Sequence, residues 1–388
     1  MNIPFIKSTG RMINKSHSAG FLYELFIEGI VIWYGEIYTK LENGGSSMIT
    51  IKEIAEMAGV STTTVWNVIH GKTKKVSPQN VERIQKILEE QKYVTPMGLR
   101  ALKNGKSNMI GVVLHVTKHF DLSLVSDPFY SRLIGELERV LNAAGHYMLL
   151  YSSKSIESIF QMAMAWNVEG LICLNFSEND YQKLSILVDI PIVSVDLFNI
   201  GNSNHKYYNV GLQDEEGGYL MTKYLISQGF REILILAIRD LGIEHERILG
   251  YRRALEEAGI KYKDKYFIKI YSDAVNRQKN YQDLCKFMKR GMALFFLADL
   301  YAVEAMAYFQ KRGYKIPEDI SVAGFDNLSY AHLCTPGLTT VNQDIEQKAR
   351  KAAEMLLKLI QKEPIKEHNV LLPVNLVIRE SVGQNRKS

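Results

Sequence analysis

The sequence has few cysteines and lacks the motifs of the common catalytic sites. Its three cysteines, Cys173, Cys285 and Cys334, lie far apart and match no metal-ligand spacing. An odd number without such spacing predicts reduced core thiols in a cytoplasmic protein. Gly-x-Ser-x-Gly, His-Glu-x-x-His and a glycine-rich phosphate loop are all absent from the sequence, and the nine histidines are scattered. The chain is therefore expected to be no enzyme and to need no metal or other cofactor.

Long uncharged apolar runs are also missing. The most apolar N-terminal stretch, residues 21–38, is interrupted by three glutamates. Its longest uncharged run is far shorter than the roughly 20 residues that span a bilayer. No signal-peptide cleavage site follows it, so neither export nor a membrane partner is expected. We interpret residues 1–47 as an extension that need not be native. Gly44-Gly45, just before Met48, fits a translated purine-rich ribosome-binding site.

Net charge is missing everywhere except in one short segment. The chain carries 47 Lys and Arg against 42 Asp and Glu, which leaves a net charge of +5. Residues 48–108 alone contain ten Lys and Arg and five Glu, so the whole imbalance lies there. A compact basic module joined to a neutral body is typical of a DNA-binding protein.

Residues 48–93 show the start and stop signals of three short helices. Thr50 and Glu53 fit a capping box, and Gly59 suits the left-handed end of the first helix. Ser61 can cap a second helix from 62 to about 70, and Ser77-Pro78 opens a third. Two short helices joined by a tight turn predict a helix-turn-helix.

The second helix is predicted to enter the major groove with its first turns against base edges. Short hydroxyls and an amide suit that role, which points to Thr62, Thr63 and Asn67. The predicted DNA-binding set is completed by Ser61, Thr64 and Trp66. The alternative is that the threonines form only a polar helix face.

Residues 51–96, IKEIAEMAGVSTTTVWNVIHGKTKKVSPQNVERIQKILEEQKYVTP, resemble the head of the LacI/GalR family of bacterial regulators. The resemblance extends over residues 48–388. By position, Thr62, Thr63 and Asn67 fall where this family contacts bases. Trp66 stands where the family usually has a phosphate-contacting serine, and it is expected to stack on sugar-phosphate or to pack locally.

The resemblance also implies a hinge at residues 94–108 that becomes helical on DNA. Leu102 occupies the position of the leucine that the family inserts into the minor groove, between Arg100 and Lys103. An apolar wedge flanked by cations is a known device for kinking DNA. The alternative is that Leu102 makes linker contacts only.

From residue 109 onward, short apolar runs alternate with helical patterns. Apolar runs are predicted as strands at 109–116, 147–152, 168–175, 191–195, 233–237, 293–298 and 320–324. This alternation predicts an α/β fold with parallel sheets, and the number of strands predicts two doubly wound lobes with a ligand between them.

The body also resembles the family, through Asp127-Pro128-Phe129-Tyr130, 168–172, 319–326 and 338–341. The resemblance implies a periplasmic-binding-protein-like body at 109–382 that the chain crosses three times. We expect one lobe at about 109–208 and 339–366, the other at about 209–336 and 369–381, and a tail at 383–388.

The family's effector-contacting positions fall on Phe129, Tyr130, Asp196, Arg247 and Asp299. An arginine fork, carboxylates and an aromatic face suit a sugar or a base. The alternatives are that Asp299 caps a helix, that Arg247 forms a surface ion pair and that Phe129 is core. Ala298 and Tyr301 replace the Asn and the small residue that the family usually carries there.

The sequence thus predicts a cytoplasmic homodimeric regulator, expected to be a repressor, of a pseudo-palindromic double-stranded DNA operator. Its effector is expected to be a carbohydrate. Three alternatives stay open: a solute-binding transport component, an enzyme on the same fold, and a regulator controlled by a phosphocarrier protein.

Overall fold

The computed structural model describes residues 49–93, 106–116, 124–198, 206–289 and 291–385. The chain divides into two compact units, Met1–Pro96 and Met97–Ser388. The extension at 1–47 lies outside the described residues. So does most of the predicted hinge, including Arg100, Leu102 and Lys103.

The first unit contains the three predicted helices. They are α1 (Ile51–Ala58), α2 (Thr62–Ile69) and α3 (Pro78–Glu90). The capping box forms, because Thr50 N donates to Glu53 Oε2 at 2.7 Å and Glu53 N donates to Thr50 Oγ1 at 3.2 Å. Gly59 ends α1 at a φ of 63°, a conformation that glycine adopts without strain.

One apolar core holds these helices together. Arg83 on α3 also donates to the Ala58 carbonyl at 3.0 Å, which fixes α3 against the end of α1. The buried side chains of this core are Ile54, Ala55, Ala58, Val65, Val68, Ile84 and Ile87. The core draws on all three helices, so it sets the angle between α1 and α2 without using the N-terminal residues of α2.

Replacing Thr50 by Ala is expected to destabilise α1 by about 1 kcal/mol, because Glu53 N loses its side-chain acceptor. Hydrogen exchange of the α1 amides in the full chain measures this effect. Thr63→Ala is the matched control, since Thr63 is exposed on α2. Equal protection of α1 in the two variants would contradict the role of the cap.

The second unit contains two six-stranded sheets in the described part of the chain. The first sheet has the order β11-β5-β4-β3-β1-β2. Its strands are β1 (Met109–His115), β2 (Tyr147–Ser153), β3 (Gly170–Leu174), β4 (Ile192–Val195), β5 (Asn209–Leu212) and β11 (Asn369–Leu372). All of its strand pairs are parallel.

The second sheet has the order β12-β10-β9-β8-β6-β7. Its strands are β6 (Ile233–Ala237), β7 (Phe267–Lys269), β8 (Met292–Phe296), β9 (Ile320–Asp326), β10 (Thr339–Asn342) and β12 (Asn375–Val377). Only the short edge strand β12 pairs antiparallel among these described strands. The predicted pair of doubly wound, mainly parallel lobes is confirmed.

Helices cover both sheets. They are α4 (Pro128–Ala143), α5 (Ile156–Ala165), α6 (Glu178–Leu187), α7 (Asp214–Ser227), α8 (Ile243–Glu257), α9 (Ala274–Phe287), α10 (Asp299–Gln310), α11 (Ser329–Leu333) and α12 (Ile345–Ile360). Every residue of β3 and β8 is buried, as expected for strands covered on both faces.

The lobe boundaries differ from those expected from the sequence. In the described residues the chain crosses between lobes after β5, after β10 and after β11. β5 and β11 therefore belong to the first lobe and β10 to the second, whereas the predicted boundaries assigned each to the other lobe. The reason is that each of these strands pairs within the sheet of the lobe that the chain is leaving, and the crossing follows the strand.

Helices α7 and α8 pack unusually closely through two glycines. A Cβ added at Gly218 would overlap the Arg247 carbonyl, and one at Gly250 would overlap the Glu215 carbonyl. This close approach sets the distance between Asp214, the first residue of α7, and Arg247 on α8.

Three further observations concern the cysteines, metal binding and membrane-spanning helices. Cys173, Cys285 and Cys334 are free, and burial raises the pKa of the Cys173 thiol well above its usual range. Within the described residues no cluster of His, Cys, Asp or Glu could hold a metal ion. The described helices also include none that is long and apolar enough to cross a membrane.

Candidate DNA-binding surface and ligand cavity

The N-terminus of α2 presents a polar surface. Ser61 Oγ accepts from Thr64 N at 3.2 Å and lies 2.9 Å from Thr64 Oγ1, so these two hydroxyls form the helix cap. Thr62 and Thr63 are exposed, and Asn67 lies one turn further along, half-buried. Short donors and acceptors therefore stand at the helix end that has free backbone N–H groups.

Trp66 packs locally. Its ring stacks on His70 with centroids 4.2 Å apart, and Lys72 Nζ lies 4.8 Å from the ring centroid. Of the two sequence interpretations, the geometry favours local packing. The ring then holds Lys72 near the end of α2, where a cation can meet a phosphate.

A cleft between the two lobes forms the candidate ligand site. It contains about 1020 Å³ of empty space, counted out to its open mouth. Its first-lobe wall comes from the start of α4 and the end of β4, and its second-lobe wall from α8, α10, α11 and the end of β9. The aromatic residues of the wall are Phe129, Tyr130, Phe198, Tyr301 and Tyr330.

Arg247 anchors the second-lobe side of the cleft. Its Nε donates to Asp214 at 2.8 Å and its Nη1 donates to the Leu297 carbonyl at 2.6 Å. Its guanidinium carbon lies 3.5 Å from the ring centroid of Phe325, and the residue is only 5% exposed. The side chain is therefore held in one orientation, with Asp326 3.9 Å from Nη1.

Asp196 faces the cleft from the end of β4. Both of its oxygens accept from Lys348 Nζ, at 2.8 and 2.9 Å. The same ammonium donates to Gln343 Oε1 at 2.8 Å, and Gln343 Nε2 donates to Asp326 at 2.6 Å. These contacts link the two lobes through Gln343, which lies between β10 and α12.

The carboxyl groups of the cleft are poorly solvated. Burial raises the pKa of Asp127 and of Glu244. Burial also raises the pKa of Asp326, to about 7, although Arg247 opposes the shift. A ligand that donates hydrogen bonds to these carboxyl groups would supply partners that solvent does not supply.

Asp326 makes the stability of the body depend on pH. Between the ordinary pKa of 3.8 and about 7, the folded state holds a proton that the unfolded state has lost. Stability therefore falls as pH rises through this window, by up to about 4 kcal/mol at 1.36 kcal/mol per pKa unit. Asp326→Asn is expected to flatten this slope in denaturant unfolding from pH 4 to 8, since an amide oxygen still accepts from Gln343. An unchanged slope would contradict the assignment.

The structure places Phe129, Tyr130, Asp196 and Arg247 together in the wall of the cleft. The rings of Phe129 and Tyr130 meet edge to face, with centroids 5.2 Å apart. Their position is fixed by Asp127, whose Oδ1 accepts from Phe129 N at 2.9 Å and from Tyr130 N at 3.3 Å.

Asp299 lies beneath the wall rather than in it. It is fully buried, and its oxygens accept from Leu328 N at 2.9 Å and from the Thr340 hydroxyl at 2.5 Å. Burial raises its pKa well above the usual range. The expectation of a direct ligand contact therefore finds no support in this geometry, and its role is to hold the loop before α11.

Sequence reasoning missed several polar groups of the cleft. Asp326 ends β9 and Gln343 directly follows β10, so their place at the C-terminal ends of parallel strands could have indicated them. Lys348 could have been found as a cation on the buried face of α12, beside Ile345 and Ala349. Glu244 has no comparable signal in the sequence.

Comparisons with known proteins agree with both units. Residues 50–96 match the model of bacterial regulatory proteins of the lacI family, and residues 222–382 match a periplasmic binding protein-like domain. The HTH-type transcriptional repressor PurR of Vibrio vulnificus (strain CMCP6) is 31% identical over 342 residues, covering 86% of this chain and 99% of that protein.

Solved structures show the same fold. A complex of the transcriptional regulator CelR with cellobiose is 26% identical with a TM-score of 0.62, and it covers 86% of this chain and 99% of its own. The lac repressor dimer bound to operator and the anti-inducer ONPF has the same coverage, 23% identity and a TM-score of 0.72. Together with the helix-turn-helix unit and the two-lobed body, these similarities show that this chain belongs to the lacI family of bacterial regulatory proteins and is a DNA-binding transcriptional regulator.

Proposed function

We propose that the protein is a repressor that binds a pseudo-palindromic operator as a homodimer and responds to an uncharged small molecule, a sugar or a purine-like base, in the cleft. The observation that carries this proposal is the cleft itself. Residues of both lobes converge on it, so a ligand there contacts both lobes at once.

The DNA half of the proposal is supported by the surface of α2. Thr62, Thr63 and Asn67 are proposed to contact base edges, and Ser61, Thr64 and Lys72 to lie against phosphates. Trp66 is proposed to act through Lys72, whose ammonium it holds. Arg100, Leu102 and Lys103 are proposed to bind the minor groove.

The effector half is supported by the chemistry of the wall. Phe129 and Tyr130 offer aromatic faces to a sugar ring or a base. Asp196, Asp326 and Gln343 offer acceptors and a donor to hydroxyl or ring N–H groups. Among the similar solved structures, the transcriptional regulator CelR is bound to cellobiose, which favours a sugar.

Coupling between effector binding and operator binding follows from the contacts between the two lobes. A ligand that closes the cleft shifts the Gln343 contacts with Lys348 and Asp326 at the crossing between β10 and α12. Closure that moves one protomer against its partner changes the separation of the DNA-binding units, and operator and effector affinity are then reciprocally linked.

A mobility-shift titration tests this function. The full chain is titrated onto DNA from upstream of its own gene, alone and with cellobiose, maltose, glucose, hypoxanthine or guanine. We expect a specific complex whose midpoint one of these compounds changes. Specific binding that none of them alters, but that a phosphocarrier protein does, would replace the small-molecule effector by a protein. Absence of specific binding at low salt would overturn the proposal.

A further inference from the structure

Three cations in or behind the wall of the cleft are paired with carboxylates. Arg239 Nε lies 3.6 Å from Glu244 Oε2, Arg247 contacts Asp214, and Lys348 contacts Asp196. Each of these three cations therefore faces a carboxylate of its own.

Lys348 donates all of its N–H groups to acceptors of the protein. An ammonium has three N–H groups. Those of Lys348 meet three acceptors, the two oxygens of Asp196 and Oε1 of Gln343, all within 2.9 Å. The residue is only 1% exposed, so no donor remains for a ligand.

Asp196, by contrast, keeps a face toward the cleft. Its side chain is 12% exposed, and a carboxylate accepts more hydrogen bonds than the two that Lys348 supplies. A ligand at this point therefore contacts an acceptor whose charge is already neutralised by Lys348.

We infer that Lys348 is a specificity-determining residue of the cleft, which sets its preference for uncharged effectors. An anionic ligand finds no free ammonium at this wall, and a cationic ligand gains little from a carboxylate that already has a partner. This inference rests on the proposed ligand function of the cleft.

Removing the lysine charge is then expected to change which ligands bind. In Lys348→Met, Asp196 becomes an uncompensated carboxylate at the wall, and a protonated amine on the ligand can replace the missing charge. Because a hydrogen bond to a charged group is about twice as strong as a neutral one, an amino sugar should bind the variant roughly tenfold more tightly than the neutral sugar.

The test uses three sugars that differ in one group: glucose, glucosamine and glucose 6-phosphate. Dissociation constants are measured by calorimetry on the full chain at about pH 6.5, where an amine with a pKa near 8 is protonated. The wild type is expected to bind neither charged sugar more tightly than glucose, and Lys348→Met to prefer glucosamine.

Two further variants keep the test decisive. Lys348→Gln retains a donor for Asp196 without the charge, so it should show the same preference if Lys348→Met folds poorly. The double variant Asp196→Asn with Lys348→Met removes both charges and should lose the preference. A wild type that already favours either charged sugar, or lysine variants that respond like the wild type, would overturn the inference.

Failure of the inference is distinguishable from failure of the proposed function. DNA binding by the same proteins without sugar is measured in parallel. Absence of specific DNA binding by the wild type would contradict the proposed regulator function. The sugar preferences test only the proposed role of Lys348.

Discussion

Arg247→Met is expected to lower the free energy of unfolding of the body by about 3–5 kcal/mol, because removing one partner of a buried pair leaves the other charge uncompensated. Asp214 would lose the donor at 2.8 Å, and Asp326 would lose the nearest cation. Burial already disfavours the charge of Asp214, which raises its pKa even with the arginine present. Denaturant unfolding at pH 7 measures the change.

Arg253→Met is the matched control for this prediction. Arg253 lies on the same helix, α8, and pairs with Glu215 and Glu216, but its side chain is 39% exposed. Exposed pairs contribute about 0–1 kcal/mol, so this variant should stay close to the wild type. Equal losses in the two variants would contradict the effect expected from burial of the Arg247 charge.

Effector response should fail in Arg247→Met even where the variant is folded. Arg247 lies in the wall of the cleft and contacts the loop after β8 through the Leu297 carbonyl. Its loss removes a donor fork from the wall and takes a cation away from Asp326, which lines the same cleft. A folded variant with an unchanged midpoint for the effector would contradict the proposed place of Arg247 in the ligand site.

The second large expected effect is the dependence of operator affinity on salt concentration. Operator affinity is expected to fall by about three or more decades between 50 and 200 mM salt, because Lys and Arg that neutralise phosphates release bound counterions. The basic excess lies wholly in residues 48–108, which carry ten Lys and Arg against five Glu. Fluorescence anisotropy over this salt range measures the slope.

Lysine variants assign that slope to the basic unit. Lys74→Gln and Lys75→Gln, at exposed positions in the turn after α2, should each reduce the slope by about 0.9 if they contact phosphates. Lys286→Gln, exposed on α9 of the body, should leave the slope unchanged. A flat salt titration of the wild type would contradict an electrostatic DNA interface.

Local signals in the sequence predicted the DNA-binding unit well. The caps at Thr50, Ser61 and Ser77 and the end of α1 at Gly59 all lie where the sequence predicted them. Caps depend on a side chain and on backbone atoms two or three residues away, so they need no information from distant parts of the chain.

The body was predicted less completely, because its missed elements depend on distant partners. The strands β5, β10, β11 and β12 are three or four residues long. β11 pairs with β5, and β12 pairs with β10, only after the chain has crossed to the other lobe and returned. The helical patterns at 247–258 and 303–312 predict two helices, but α8 and α10 begin four residues before these patterns, at Ile243 and Asp299. Their first turns are polar or face the cleft, so hydrophobic periodicity does not mark them.

The candidate site shows the same division. Phe129, Tyr130, Asp196 and Arg247 were predicted and do line the cleft, whereas the place of Asp299 below it depends on Thr340 from a strand far along the chain. The pairing of Lys348 with Asp196 joins residues 152 positions apart. Neither sequence spacing nor periodicity reports such a contact.

Selection of binding sites from a random duplex library, with the full chain at low salt, tests the central claim most directly. We expect enrichment of a pseudo-palindrome with two inverted half-sites, because two α2 helices of a symmetric dimer contact the DNA. A variant in which Thr62, Thr63 and Asn67 are all alanine should bind DNA without enriching that sequence. Enrichment of no motif by the wild type, or of the same motif by the variant, would contradict sequence-specific DNA binding through α2.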